Sequence, residues 1–584
     1  MKLRSMILFG IIVTTVIGFL PSAPPVLAQA QEPIRGGNLI IPKPADAHHL
    51  NPLTWGTIYE SEVLSHIYEP LVIYDVNDTP VPCLATGWSW NDSLTEYTFN
   101  IIDNATWHDG QLFTIDDVNF TYHLLWLDPG IPRRSWMMDD VLSITVVNDT
   151  AIRFIFAYSY RPADVLLEIG NTWMLPEHIW KDISDIYSFA NLEPIGTGPF
   201  TLEEWRRGQF FRYKRFDNYW REGKPYVDEI TSPIVLEVEA GYYALKAGDL
   251  QVIGAPPPGL EADARADPNI AVWNGIQDYF VYIAQNERRY PNNVKEFRHA
   301  VAYGTNRSEM VEVARYGRGV VSPTSCSLPF GPYYEPDIES YDYDPARANQ
   351  ILDDLGWARG PDGIRVTQNG TRLSFEFNFV YYAESIATAQ MLQEYMAAIG
   401  VEITIQHLSW DVLWKNIGGL GDGTHDYDWA YAGWVGFWSN KHPNWAYWLF
   451  NSGGWWGDEV NVPGWQNDTL DTLTDEILIE PDEAVVKTKL NQVQKIISQE
   501  LPYLPINFLG GVAVYRTDKF EGWITGATYG PNNWQSWLNV HLIAPEVPIV
   551  LPTMTTYMGG AMILITIAVI IIGYVKLRPA PPME

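Results

Sequence analysis

From Val547 to Val575 the chain carries no Asp, Glu, Lys or Arg, and within that stretch Met554–Val575 is strongly apolar. Such a run is either a membrane span or a helix buried in a core. Its 22 residues, at about 1.5 Å each in a helix, reach about 33 Å, enough for the hydrocarbon core of a bilayer. The run is near the C-terminus and is followed by Lys576 and Arg578, which favours a span (554–575) with a cytoplasmic tail (576–584). Everything before it, apart from a proline-flanked linker over 546–553, is then expected to fold outside the membrane.

The other end agrees. Lys2 and Arg4 precede an uncharged run, Met6–Leu20, too short to span, and small residues offer cleavage after Ala28 or Ala30. Residues 1–30 therefore read as an export signal. The first cysteine, Cys83, is far from where a lipoprotein would be acylated, and with Cys326 it makes too few thiols for a disulfide scaffold, although the two could pair outside the cell. Asn77, Asn91, Asn104, Asn119, Asn148, Asn306, Asn369 and Asn467 each begin an Asn-x-Ser/Thr triplet, so a glycosylated cell-surface protein is expected.

The body between these ends is acidic, with 38 Lys+Arg against 70 Asp+Glu and a net charge of −32, which excludes a nucleic-acid binder working through a basic face. Apolar residues make up 47% and charged ones 18%, so the chain buries a large core and is not disordered. Asn38–Ile41 reads as a strand, followed by a helix through Leu64, Ile67, Tyr68 and Leu71; alternating strands such as Tyr97–Ile102 and Ile152–Phe156 mark a small separate domain. Farther on, helices at 294–303, 308–314, 345 onward, 385–399 and 483–500 alternate with strands such as Val401–Ile405, an α/β pattern with a buried sheet. Tyr279–Gln285 and Pro502–Asn507 read as two crossings between major lobes.

Catalytic signatures are missing: there is no Walker-type phosphate loop, no Gly-x-Ser-x-Gly elbow and no His-Glu-x-x-His pair. His48-His49 has no spaced set of partner ligands, and Asp337, Glu339, Asp342 and Asp344 lack the glycine and terminal glutamate of a calcium loop, so no metal or other cofactor is expected. Aromatic rings are abundant instead, concentrated in Trp429–Trp448 and at Trp455-Trp456. Part of them must pack a core, and the rest are expected to line a cleft where Gly433 and Gly436 let a ligand approach the backbone.

Several blocks in order resemble the dipeptide/oligopeptide-binding family, solute-binding family 5, of extracytoplasmic receptors of ABC importers. They are Leu50–Asp75 with Pro82–Trp88, Trp107-His-Asp-Gly110 with Thr114–Val118, and Gly196-Thr-Gly-Pro-Phe200 with Asn218-Tyr-Trp220. The resemblance runs from about Gly36 to Val540. It implies a two-lobed α/β periplasmic-binding-protein-like fold: lobe 1 from 31–75, 189–283 and 503–545, an extra small domain over 76–188, and lobe 2 over 284–502.

It also implies a ligand segment at Ala432, Gly433, Trp434 and Val435, whose backbone would pair with an extended peptide while Trp434 walls a side-chain pocket. In peptide-binding members an aspartate three residues after that tryptophan holds the ligand's ammonium; here the position is Phe437. Trp438 and Trp445 offer stacking surfaces, Asn440 or Asn444 could bond hydroxyls, and Asp426 or Asp428 could stand in for the missing acid after a loop shift. The resemblance thus implies a non-enzymatic receptor that delivers a peptide, or alternatively an oligosaccharide, to a permease with separate ATPase subunits. A surface glycosidase or a structural surface protein is the rival, and the ordered blocks weigh against both.

Overall fold

A computed structural model describes residues 32–380, 383–418, 424–435, 442–453 and 461–543. The expected signal, linker, membrane span and tail lie outside these residues, as do Phe437, Trp438 and Asn440. Among the described residues no helix is long and apolar enough to cross a membrane.

Lobe 1 opens with β1 (Asn38–Ile40) and α1 (Ile58–Leu64), the latter closed at its start by a capping box between Thr57 and Glu60. The sequence pattern extends this helix to Leu71, yet it stops at Leu64. The carbonyls of His66 and Ile67, which would carry it on, accept instead from Phe200 N and Gly198 N. Gly196 and Gly198 are required there, because a Cβ at either would fall 1.9 or 2.7 Å from Ile67 O.

The small domain is an antiparallel sheet of β2 (Ala85–Trp90), β3 (Glu96–Ile101), β4 (Val141–Asn148) and β5 (Ala151–Phe156), in the order β2-β3-β5-β4. Helix α2 (Ile115–Leu127) packs on β4 and β5, and a short α3 (Pro162–Val165) follows. The chain then returns to lobe 1 through β6 (Phe200–Arg206), β7 (Phe210–Arg215) and β8 (Glu229–Pro233), with β8 parallel to β1.

The main sheet joins the lobes. It contains β9 (Val252–Gly254), β10 (Ile270–Gln285), β11 (Gly319–Val321), β12 (Ser374–Val380), β13 (Glu402–Leu408), β14 (Trp429–Val435) and β15 (Tyr503–Arg516), in the order β9-β15-β10-β14-β12-β13 with β11 on β15. The expected crossings are β10 and β15, which pair with each other. The first half of β10 packs with lobe 1 residues such as Tyr242 and Leu245, and the second half enters the lobe 2 cores. Between the halves the pairing slips, at Ile276/Phe280 and again at Val281/Tyr282, and such bulges bend a ladder where a hinge is needed.

In lobe 2, β12 runs parallel to both β13 and β14, with α4 (Ala383–Ala398) as the crossover from β12 to β13; Gly400, at φ +83°, ends that connection. Helices α5 (Trp410–Asn416), α6 (Trp445–Phe450) and α7 (Glu483–Glu500) also belong to the lobe, α7 burying Val486, Leu490, Val493 and Ile497 as their spacing predicts. Cys83 and Cys326 are both free and buried, Cys83 against Glu69 and Cys326 in a lobe 2 core, so the possible disulfide does not form.

Candidate functional site

Residues from three of the six sequence segments meet at one buried carboxylate. Glu69 accepts from Tyr219 OH at 2.6 Å, Trp220 Nε1 at 2.8 Å and Thr197 Oγ1 at 3.1 Å. Burial pushes its carboxyl up, and these donors hold it back. The paired segments Trp107–Gly110 and Thr114–Val118 dock beside them: His108 N donates to Gly196 O and Asp117 accepts from Trp107 Nε1. These residues form the scaffold of lobe 1.

The proposed ligand strand, β14, lies between β10 and β12 and is covered on both faces. Trp429 and Tyr431 enter one core, Ala430 and Ala432 the other, so these rings are packing and not lining. Trp434 is half-buried at the end of the strand and, like Val380, Leu408 and Trp414, packs against the same lobe 2 core. Val380 and Leu408 are the last residues of β12 and β13, so this rim lies at the carboxyl ends of parallel strands, where open α/β sheets bind ligands. Gly433 gives Tyr279 its place, since a Cβ there would stand 2.3 Å from the phenol oxygen. The backbone of Val435 pairs with Tyr279. Trp445 starts α6 and is 1% exposed, a core residue in this conformation.

The substitute acids are engaged elsewhere. Arg289 donates to Asp426 at 2.7 Å and to Asp428 at 2.9 Å, and Asp428 also accepts from Glu376 N. Both precede β14, so Asp428 lies six residues, or about 20 Å of strand, from Trp434. Neither can take the place of the acid missing at Phe437 without breaking an ion pair.

Sequence reasoning missed the lobe 1 surface. A cavity of about 380 Å³ is lined by Ile58, Ser61, Tyr74, Trp173, Tyr529 and Trp534 among others. Trp55 stands next to Trp173, at 6.1 Å between rings, and carries the Arg133 guanidinium 3.6 Å above its own ring. In lobe 2, Trp410 stacks on Trp414 at 5.4 Å with half its surface exposed. These aromatics stand singly in sequence, outside the rich segment that drew attention, and no local pattern marks them.

The small domain and lobe 2 touch through buried polar side chains. Asp164 accepts from Arg161 Nε at 2.8 Å and lies 2.5 Å from His442 Nε2, while Arg161 Nη2 donates to Asn444 Oδ1 at 2.8 Å. All four residues are buried. Glu168, also buried and accepting from Ser135 Oγ at 2.8 Å, has its carboxyl pushed up by burial, with His442 acting against the rise. This arrangement binds and positions; it brings together no nucleophile with a base.

Residues 79–457 match the family model for bacterial extracellular solute-binding proteins, family 5. The oligopeptide-binding protein AppA of Bacillus subtilis is 25% identical over 520 residues, covering 86% of this chain and 92% of that one. The nickel-binding periplasmic protein of Escherichia coli is 26% identical over 374 residues, 62% of this chain and 69% of that one. Among solved structures, AppA of B. subtilis with a bound nonapeptide superposes with a TM-score of 0.74 at 23% identity, covering 88% of this chain and 100% of that one. A periplasmic oligopeptide-binding protein of Thermotoga maritima gives 0.77 at 23%, covering 87% and 99%. These last two likenesses establish the two-lobed fold. With the family model spanning well over half of its length, the chain belongs to the bacterial extracellular solute-binding proteins of family 5.

Proposed function

We propose that the chain is the membrane-tethered receptor of an ABC importer: it captures peptides between its lobes outside the cell and hands them to a permease driven by separate ATPase subunits. The observation that carries this reading is the rim at Trp434. It lies at the carboxyl ends of β12 and β13, beside the bulged strands β10 and β15 that allow the lobes to hinge. The relatives named for oligopeptides support peptide as the solute class. The sequence supports the tether, through the apolar run at 554–575, and export, through the signal at 1–30.

Oligosaccharide is the second reading. It is favoured by Phe437 where an acid is expected, by the engagement of Asp426 and Asp428 with Arg289, and by the exposed Trp410–Trp414 stack, which suits the apolar face of a sugar ring. Burying an ammonium without a carboxylate costs several kcal/mol. Calorimetry on the full chain with a mixed peptide pool and with a panel of oligosaccharides separates the two. Peptide heat is expected; sugar binding that is lost in Trp434→Ala, with no peptide heat, would replace peptide by oligosaccharide. Protease added to intact cells is expected to release a fragment ending near 545, and a fragment that stays inside would overturn the topology.

A further inference from the structure

Five of the eight Asn-x-Ser/Thr triplets are engaged in local structure. The carboxamide oxygens of Asn91, Asn148, Asn306, Asn369 and Asn467 accept from the backbone N–H groups of Thr95, Thr150, Glu309, Thr371 and Leu470, closing turns or capping helices. Asn119 lies half-buried inside α2. Asn77 and Asn104 are left: both are exposed, and neither side chain makes a hydrogen bond among the described residues. Asn104 differs from Asn77 in what lies beside it. With Thr106, the third residue of its own triplet, it lines a cavity of about 460 Å³ whose other wall is Arg35 and residues between Arg215 and Lys224. That size suits a small organic molecule. Thr106 Oγ1 is buried there without a hydrogen-bond partner, and buried polar atoms are nearly always bonded.

We propose that Asn104 is a glycosylation site and that the first sugars of its glycan lie in this cavity. In the covalent step the bond from Asn104 Nδ2 to the sugar C1 forms as the sugar–phosphate bond of a lipid-linked donor breaks. A base of the transferase takes one amide proton, and the lipid phosphate leaves with the bonding electrons. The polar groups of the cavity fit a polyol. The Arg35 guanidinium reaches Gly223 in the wall, where a Cβ would stand 3.5 Å from Nη2, and Lys224 gives one of its three ammonium protons to Asn539 Oδ1. Asp217, with one oxygen taken by Arg215, and Glu222 bring acceptors to the same wall. A bare anion would face these two carboxylates and a bare cation would face Arg35 and Lys224, whereas sugar hydroxyls both donate and accept. Thr106 Oγ1, which can also do both, is then met by the sugar attached two residues before it.

The inference rests on the receptor reading only for placement outside the cell. Two measurements test it on the full-length chain, prepared from its own host and from a host that attaches no sugar to asparagine. Peptide mass spectrometry should find sugar mass on Asn104 in the first preparation. Hydrogen–deuterium exchange of the backbone amides over 215–224 should be at least about threefold slower in the first preparation than in the second. That difference should be lost in Asn104→Gln and kept in Asn77→Gln, and both substitutions alter exposed side chains without hydrogen bonds, so both variants are expected to fold. An unmodified Asn104 would overturn the inference. So would a sugar on Asn104 with equal exchange in the two preparations, which leaves water in the cavity. What the receptor binds enters neither readout. External protease tells the failures apart: an unmodified Asn104 in a chain that the protease cleaves overturns this inference alone, and in a chain that it does not reach the placement falls as well.

Discussion

Glu69 and the Arg161–Asn444 junction are both buried polar clusters, but they are finished to different degrees. Around Glu69, donors from Thr197, Tyr219 and Trp220 converge on one carboxylate, and all of them belong to lobe 1. At the junction the side chains come from two bodies, and buried polar atoms of Arg161, Asp164, His442, Asn444 and Trp445 have no hydrogen-bond partner. A closed polar cluster specifies one packing and fastens distant parts of the chain. An open one has capacity left for a molecule that is not part of the chain.

The sharpest way to break the comparison is to unmake the closed cluster. Glu69→Ala would orphan the Thr197, Tyr219 and Trp220 donors in an interior, and about 3–5 kcal/mol of destabilisation is expected. Urea denaturation followed by a lobe 1 probe should show it as an early separate transition, with Glu69→Gln, which keeps an acceptor, lying between the variant and the parent. If Glu69→Ala unfolds with the parent, Glu69 is not a fastening point and the contrast with the junction fails.

How much could be read in the sequence follows the same division. The scaffold was legible because Glu69, Trp107-His108, Gly196-Thr197 and Tyr219-Trp220 each lie in a block that resembles the family, and the structure brings them into contact. The helices at 345–354 and 483–500 and the strand after Gly400 were legible from caps and periodicity. At the junction only Asn444, in the aromatic segment, was legible; its partner Arg161, 283 residues away, belongs to no pattern. The aromatic segment divides as its density implies: in a strand covered on both faces, Trp429 and Tyr431 are core. The end of α1 was missed because Gly198 N and Phe200 N, far away in sequence, take the carbonyls that would have prolonged it.

A smaller effect should appear in acid, and it should fall on the scaffold lobe. His66 is stacked between Trp537 at 3.8 Å and Tyr213 at 4.6 Å, and burial, with Lys43 adding to it, pulls the imidazole down to about 3. Burial likewise pulls His108 down to about 4. Both stay neutral in the fold where the unfolded chain, near 6.5, takes up protons. Above that pH they contribute nothing to the pH dependence; below it the unfolded state binds more protons and stability falls, until the folded imidazole titrates in turn. The loss is expected to reach about 2 kcal/mol for each by pH 4.5. Carboxyls raised by burial, such as Glu69, pull the other way, so the readout is a difference: the slope of stability against pH in the parent minus that in His66→Phe, which keeps the stacking. Equal slopes between pH 4.5 and 6.5 would show that His66 is already charged in the fold.

The smallest effect on stability should come from β14, the proposed ligand strand, and there the readout expected to move is binding. A Cβ at Gly433 would stand 2.3 Å from the Tyr279 phenol oxygen and 2.6 Å from its Cζ, with no backbone atom among the three nearest. The clash is therefore with the far end of a side chain that can turn aside. Gly433→Ala is expected to cost about 1 kcal/mol or less, the lower end of what overpacking does in a rigid core. Tyr279 must nevertheless leave its seat against the strand, next to the end that carries Trp434, so the surface offered to a ligand changes. Calorimetry with whichever solute binds the parent should show affinity falling at least fivefold while the denaturation midpoint barely moves. The same substitution with unchanged affinity would place the ligand away from β14 and shift attention to the lobe 1 cavity lined by Ile58, Tyr74 and Trp173.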